Sequence, residues 1–564
     1  MQKTIALYFI IYVCVSAKLF SQNLKLSIEG NNALETTIIN SYEYNKTHPN
    51  YSAIKNEIDS LQKTLLKAGY IENELNQIAK LNDSVFLAQL HLKNKYEFIH
   101  IYYDNLQVDS KLLNIVSDKV FDTYFVIAFN TIETTLNLIN LKISEKGFPF
   151  SKLKLSNIEI TDTNYLKANL ITTSTKQKRL ISDIIIKGYE KFPRSYLKYY
   201  LKIKSQQTLN LNEIKIKTER LSNLRFASEV KPPEVLFSKD STTLYLYLQK
   251  TRSNTFDGFL GFGTNEDTNK IQFDGYLNLN LTNNLNYGES FRLLYKSDEN
   301  DQKTFETNLS LPYLFKSPIG FDVSLRIFKK DSTFNTVNQA VKLHYQISPK
   351  HKVYAGVQSI QSNNLLNTNT SLTVFDYKTN YTTLAYEFLN PQSSSYIFPI
   401  NSKFYIETNL GNRIQTNIKE KQSQISIDAF KIFNLNAKNS LFFRLNSAFL
   451  TSNNYLENEL FRFGGINSIR GFEENSIYAS LFGLINTEYR YQLNNYMYVH
   501  TIIDTAYFEN KITNNQEKLI GFGFGFGVLT NSGLLKFNFA NSKIENTPFK
   551  LSNYKIHLSL TANF

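Results

Sequence analysis

Apolar and polar residues alternate along the C-terminal part of the chain, from about residue 254 to its end. In the last stretch, Ile556, Leu558 and Leu560 alternate with His557 and Ser559. Alternation of period two with one apolar face is typical of strands in a membrane-spanning barrel. About 310 residues, at roughly 19 for each strand and turn, predict an all-β transmembrane barrel of about 16 antiparallel strands. A soluble β-sandwich would alternate similarly, so this pattern alone leaves both folds open.

A different pattern, mixed from helices and strands, covers residues 23–250. Residues 54, 58, 61 and 65 are apolar at helical spacing and form one face of a helix. Aligning the helix ends reveals a repeat, in which Tyr70, Phe148 and Phe226 follow at a constant spacing of 78 residues (148 − 70 and 226 − 148). Glycine, which favours the positive φ after a helix, precedes the first two aromatic residues but not the third.

Each repeat has the predicted order β-α-α-β-β and begins with a strand, at residues 24–30, 98–103 and 181–188. In the third repeat, leucines at 244, 246 and 248 alternate with tyrosines and predict a closing strand. The sequence therefore predicts three α+β domains before the barrel. Their expected bounds are 22–95, 96–176 and 177–250, followed by the barrel at 254–564.

The first 21 residues are typical of a secretory signal peptide. Lys3 supplies the positive start, residues 5–15 are apolar, and small residues precede a cleavage site near Ser21. Cys14, the only cysteine, lies inside the apolar stretch. The mature chain is then expected to lack cysteine, which excludes disulfides and cysteine-ligated metals.

Three features of the composition change this picture. No internal apolar run reaches the ~18 residues that a membrane helix needs, so a membrane-spanning fold would have to be a barrel. The 36 tyrosines and 43 phenylalanines suit the aromatic girdles of barrels, although soluble β-sandwiches are also rich in them. The net charge of +13 is weak support for an anionic partner such as a lipid headgroup, and no basic helix or zinc knuckle indicates nucleic acid.

Catalytic patterns are missing from the sequence. The seven histidines are scattered, and neither a metalloprotease HExxH, a GxSxG nor a phosphate-binding Walker motif occurs. We therefore expect a protein that is not an enzyme and that needs no cofactor or metal.

One loop sequence carries a family resemblance. Gly464 and Gly465 are followed by Ser468 and then by Arg470-Gly471-Phe472. This resembles the loop of the BamA/TamA superfamily, also called the bacterial surface antigen family, which folds back into the barrel lumen. The residues at 485–491 and 503–506 resemble the strands that follow, with Ala506 where the family has glycine. The N-terminal repeats resemble POTRA domains, and three of them are closer in layout to TamA than to BamA.

Three further sets of residues are candidates for roles around this loop. In one strand, alternation predicts glycines on the lumen face and phenylalanines on the other face. The glycine face would leave room for the loop, unless the glycines only make the strand more flexible. These glycines are Gly521, Gly523, Gly525 and Gly527. Alternation also predicts that Glu488 and Asp504 point into the lumen. The resemblance implies that these acids pair with Arg470, whose planar guanidinium can donate several hydrogen bonds to carboxylates. The alternative partner of Glu488 is Arg490. The terminal Phe564 resembles an outer-membrane assembly signal.

The resemblance implies a function. The chain is expected in the outer membrane of a Gram-negative bacterium, with the POTRA-like domains in the periplasm capturing extended substrates by strand addition. The barrel would insert or export them through a lateral seam between its first strand, near residues 256–263, and its last. Expected partners are unfolded outer-membrane or secreted proteins, the lipid and lipopolysaccharide membrane, and a periplasm-spanning protein. The alternatives are a dedicated two-partner-type secretion pore and a passive channel or receptor.

Overall fold

The structure is a computed structural model. It describes residues 23–104, 108–161, 165–173, 177–264, 271–297, 302–366, 373–392, 395, 397–416, 418–530, 533–545, 547–548 and 554–563, with backbone alone at 259–264, 271–274 and 563. The predicted signal segment, with Cys14, and the terminal Phe564 lie outside the described residues.

The first domain packs two helices, Ala33–Ser41 and Tyr51–Lys67, on a sheet of order β2-β1-β4-β3. The longer helix begins where the Asn50 side chain accepts a hydrogen bond from the Ala53 N–H, and its predicted apolar face is buried against the sheet. The strands are β1 (Leu24–Glu29), β2 (Thr47–His48), β3 (Glu74–Asn82) and β4 (Val85–His91).

The second domain has a sheet of order β6-β7-β5-β9-β8 and the helices Ser110–Leu113 and Ile132–Glu145. Its β6–β7 hairpin, between the two helices, was not predicted: β6 has only two residues and shows no alternation, although β7 alternates over five residues. The strands are β5 (Phe98–Tyr102), β6 (Lys119–Val120), β7 (Tyr124–Ala128), β8 (Lys152–Ile160) and β9 (Leu166–Thr173).

The third domain forms a sheet of order β10-β12-β11, from β10 (Asp183–Lys187), β11 (Ala227–Phe237) and β12 (Thr242–Lys250). Its helical segments are a π-helical turn at Tyr196–Tyr200, an α-helix at Leu211–Thr218 and a 3-10 helix at Glu219–Leu224. Nowhere in the described ranges is a helix both long and apolar enough to cross a membrane.

The third repeat keeps the positive φ at this position although it lacks the glycine. Gly69 and Gly147 adopt φ of +105° and +100° after their helices, and Arg225 adopts φ of +60° at the equivalent position. Arg225 thus adopts a positive φ, which residues other than glycine rarely take. The turn is kept although the residue type changes.

Residues 255–563 form a closed barrel of 16 antiparallel strands, as the alternation predicts. Two loop strands, β24 (Phe461–Phe463) and β25 (Ile477–Ala479), are not part of this ring. The barrel strands are β13 (Thr255–Thr264), β14 (Ile271–Thr282), β15 (Ser290–Ser297), β16 (Gln302–Leu311), β17 (Ile319–Lys330), β18 (Phe334–Ser348), β19 (His351–Asn364), β20 (Tyr377–Pro391), β21 (Ile400–Gln415), β22 (Ile418–Asn434), β23 (Asn439–Thr451), β26 (Leu481–Asn494), β27 (Met497–Asn510), β28 (Asn515–Thr530), β29 (Gly533–Ile544) and β30 (Lys555–Asn563).

The third domain is joined to the barrel through tyrosines of its π-helical turn. The Tyr196 hydroxyl donates to the Gly288 carbonyl at 3.1 Å, and the Tyr196 ring packs edge-on against Tyr313, which lies between β16 and β17. Burial raises the pKa of Tyr196 well above its usual range, so the hydroxyl keeps the proton that it donates. A side chain at Gly288 would overlap the Tyr196 ring. We call the barrel end at this joint the near end and the opposite end the far end.

Replacing Tyr196 by alanine is expected to loosen this joint. The change removes the ring from Phe226 and Tyr313 and leaves a cavity. Loss of a fully buried aromatic ring costs about 3–5 kcal/mol, and the cost at the half-buried Tyr196 should be lower. Hydrogen exchange should therefore accelerate in the third domain. Tyr287→Ala is the matched control, because Tyr287 lies beside Gly288 in the barrel turn between β14 and β15 but is exposed. Equal exchange in the two variants would show that the ring does not hold the joint.

Candidate functional site in the barrel lumen

The chain between β23 and β26, residues 452–480, forms the loop that contains the predicted motif. Within it, β24 (Phe461–Phe463) and β25 (Ile477–Ala479) pair as a short hairpin. Gly464, Gly465 and Gly471 all have positive φ, so the motif turns where other residues would be strained. Ile469 is fully buried in an apolar cluster with residues of β26, β27 and β28. The loop is therefore packed onto the inner wall.

Arg470 is held by two carboxylates of that wall. Its Nε and Nη2 donate to Asp504 at 2.8 and 2.6 Å, and its backbone N–H donates to the same carboxylate at 3.0 Å. Its Nη1 donates to Glu488. Arg470 is 5% exposed and Asp504 is fully buried. The structure thus brings together the three residues that the sequence and the resemblance paired.

The alternative pairing of Glu488 is also present. Arg490 donates from Nε to the second Glu488 oxygen at 2.7 Å and stacks over Phe398 and Phe442. Glu488 therefore lies between two guanidinium groups, and the two pairings do not exclude each other.

The four predicted glycines have different neighbours. All four lie on the lumen face of β28, but only Gly521 faces the loop, because a side chain there would overlap the Arg470 carbonyl. A side chain at Gly525 would instead overlap Asn538 of β29 and His500 of β27. One at Gly527 would overlap Tyr498 of β27, and one at Gly523 would meet the backbone of β29. Within the described residues, the inserted loop thus accounts for one glycine, and two others leave room for side chains of the neighbouring strands.

Pattern reading missed a second attachment of the loop, at the 3-10 turn Glu457–Glu459. Glu457 accepts from Lys330 of β17 and from Thr373, both at 3.0 Å. Asn458 donates to Ser362 of β19 at 2.9 Å. All of these wall groups lie towards the far end. Nothing in the local sequence marks them, because their partners are 84 to 127 residues away.

Glu459 completes this attachment with a buried ion pair. It accepts from Arg413 of β21 at 2.6 Å and from Gln422 of β22 at 2.8 Å. The Arg413 and Glu459 side chains are 3% and 4% exposed, and Arg413 also bonds to Glu420. A charge so deeply buried requires a partner, so the pair fixes the loop at this position.

Beside the loop lies a lumen cavity of about 1200 Å³. Cationic side chains predominate along its wall: Arg292, Lys296, Arg444, Arg490, Lys536 and Lys555. Across the ranges that the structure describes, no group of histidines and acids is arranged to hold a metal ion.

Comparison with known proteins rests on structure alone, because no family model and no curated protein matches the sequence. BamA from Haemophilus ducreyi lacking POTRA domains 1–3 superposes with a TM-score of 0.51 at 13% identity, covering 82% of this chain and 99% of that one. CdiB from Acinetobacter baumannii gives 0.51 at 16% identity, covering 78% and 83%. CdiB from Escherichia coli gives 0.51 at 12% identity, covering 90% and 98%.

The chain shares the fold of BamA and CdiB. The predicted fold class, a 16-stranded barrel preceded by α+β domains, is therefore confirmed. Identities of 12–16% show the fold and leave the predicted closeness to TamA a prediction.

Proposed function

We propose that the protein is an outer-membrane assembly or translocation factor of a Gram-negative bacterium. Its α+β domains lie in the periplasm and capture extended outer-membrane or secreted proteins, and its barrel inserts or exports them. No reaction step is required, and neither a cofactor nor a metal takes part. The observation that carries this proposal is the seam at which the barrel closes.

The seam between β13 and β30 is short. In the described backbone, β13 pairs with β30 only at Thr255–Asn563, Phe256–Ala562 and Asp257–Thr561. By contrast, β13 pairs with β14 from Thr255 to Thr264. The rest of the β13 edge therefore has backbone groups that can pair with an added strand. A substrate strand could enter there and pass sideways into the membrane.

Edge strands of the α+β domains offer further places for strand addition. Strands β3, β8 and β11 each lie at an edge of their sheet. Strand β11 contains Pro232 and Pro233 and two register shifts, and proline cannot donate to a ladder. Strand β8 is regular from Lys152 to Ser156 before its bulge. We infer that β8 is a better template than β11.

A photo-crosslinking residue at Lys154 tests this inference. Lys154 is exposed on β8, so a substrate strand added to that edge would lie within a few ångströms of it. We expect crosslinks to unfolded outer-membrane proteins in cells. The control site is Thr134, which is exposed on the helix of the same domain. Equal yields at both sites would argue against strand addition at β8.

A dedicated secretion pore is the second candidate, because the two CdiB structures match with the same TM-score as BamA. An export pore would act on one partner, whereas an assembly factor would crosslink to several. A passive open channel is disfavoured, because the loop 452–480 lies inside the lumen and is bonded to its wall at two places.

A further inference from the structure

The two residues that follow the Arg470-Gly471-Phe472 motif are both acids, and each contacts a lysine of the barrel wall. Glu473 pairs with Lys555 at 3.2 Å, and Glu474 pairs with Lys296 at 2.8 Å. Lys555 is the first residue of β30, and Lys296 lies next to the last residue of β15. Both lysines therefore lie towards the far end of the barrel.

These two lysines lie on opposite sides of the seam. Around the ring the strands follow the order β29-β30-β13-β14-β15, and the seam separates β30 from β13. Near-end backbone pairs hold the seam at residues 255–257, and no other β13–β30 pair occurs in the described backbone. The far end of the seam is thus bridged from inside by consecutive loop carboxylates.

The loop gives the bridge a fixed base. Arg470 is bonded to β26 and β27, and Glu459 is bonded to β21 and β22, so the segment between them cannot drift freely. The two adjacent glycines of the motif, Gly464 and Gly465, are in close contact with the two acids. A side chain at Gly464 would overlap the Glu473 carbonyl, and one at Gly465 would overlap the Glu474 carboxylate.

We propose that Glu473 and Glu474 form a clasp that keeps the two sides of the seam from separating at its far end, where the described backbone has no β13–β30 pairs, by pairing with Lys555 and Lys296. This deepens the proposed function, since it assumes that the seam opens. Separation of β30 from β13 would pull the two lysines apart and break at least one pair. Because the pairs are partly exposed, with side-chain exposures of 25–58%, salt weakens them. Competing charges on an arriving substrate could release them in the same way.

Backbone hydrogen exchange of the full-length protein in detergent or liposomes tests the clasp. Glu473→Gln with Glu474→Gln should raise exchange at residues 255–257 and 555–563 by about threefold to tenfold, given the usual strength of exposed ion pairs. Exchange in β20 and β21 should stay unchanged. The control is Glu545→Gln, which breaks a similarly exposed pair with Lys518 that does not cross the seam.

A charge exchange keeps the test decisive if removal of both acids lowers the yield. Glu474→Lys should open the seam more than Glu474→Gln does, and adding Lys296→Glu should restore slow exchange. Raising NaCl should speed seam exchange in the parent and not in the double glutamine variant. Unchanged seam exchange in the variants, or an equal rise throughout the barrel, would overturn the clasp. These exchange measurements contain no substrate. An error in the proposed assembly function would therefore not produce either of the two results that would overturn the clasp.

Discussion

Replacing Arg470 is expected to release the loop and to abolish most of the activity. Arg470→Ala leaves Asp504 buried with no cation, and loss of one partner of a buried pair costs about 3–5 kcal/mol in a dry interior. Water in the lumen lowers that cost, but at ~1.4 kcal/mol per factor of ten the population of released loop should still rise at least about tenfold. Limited proteolysis within residues 452–480 measures it directly.

The charge exchange Arg470→Asp with Asp504→Arg tests whether the ion pair itself, and not the other contacts of these residues, holds the loop. Partial recovery of loop protection, relative to either single change, would support the pairing. Arg326→Ala is the control, because Arg326 lines the lumen from β17 but is exposed. If single changes at 470 and 504 left both protease protection and function intact, the role of this pair as a loop lock would be wrong.

Removal of the first two α+β domains is expected to leave a folded barrel that assembles substrates poorly. Residues 23–180 can be deleted without touching the Tyr196 joint between the third domain and the barrel. Capture sites on tethered domains raise the local substrate concentration, so their loss should lower the assembly rate by about tenfold or more. The folded fraction of the barrel should remain high, as read from heat-modifiable migration on gels.

A longer deletion, of residues 23–250, tests the joint as well as the capture sites. It would expose Tyr313, which is only 5% exposed beside Tyr196 and Tyr199. We therefore expect a lower folded yield than with the shorter deletion. A shortened protein with the full assembly rate would contradict the substrate-handling role of these domains.

The spacing of apolar residues was enough to predict the helices and strands that have one apolar face. The buried face of the helix Tyr51–Lys67 and the alternating faces of β27 and β28 follow directly from spacing. Alternation also placed Glu488 and Asp504 on the lumen side. The face of a strand on which a side chain lies depends only on its position along that strand, so it can be predicted without knowing what the side chain contacts.

Contacts between distant segments could not be predicted in this way. The pairs Glu459–Arg413 and Glu474–Lys296 join residues that are far apart in sequence, and lysines and glutamates are common throughout the chain. Their geometry depends on how the loop enters the lumen. The β6–β7 hairpin was also missed: β6 has two residues, too few for periodicity to show, although β7 alternates over five residues.

We propose that this barrel speeds the insertion of other barrels into the membrane. The most direct measurement places the purified full-length protein in liposomes and follows an added unfolded outer-membrane protein. The substrate should become protease-resistant and heat-modifiable at least about tenfold faster than with empty liposomes, as expected if an exposed strand edge templates its pairing. An insertion rate equal to that of empty liposomes, from a reconstituted and folded protein, would contradict the account.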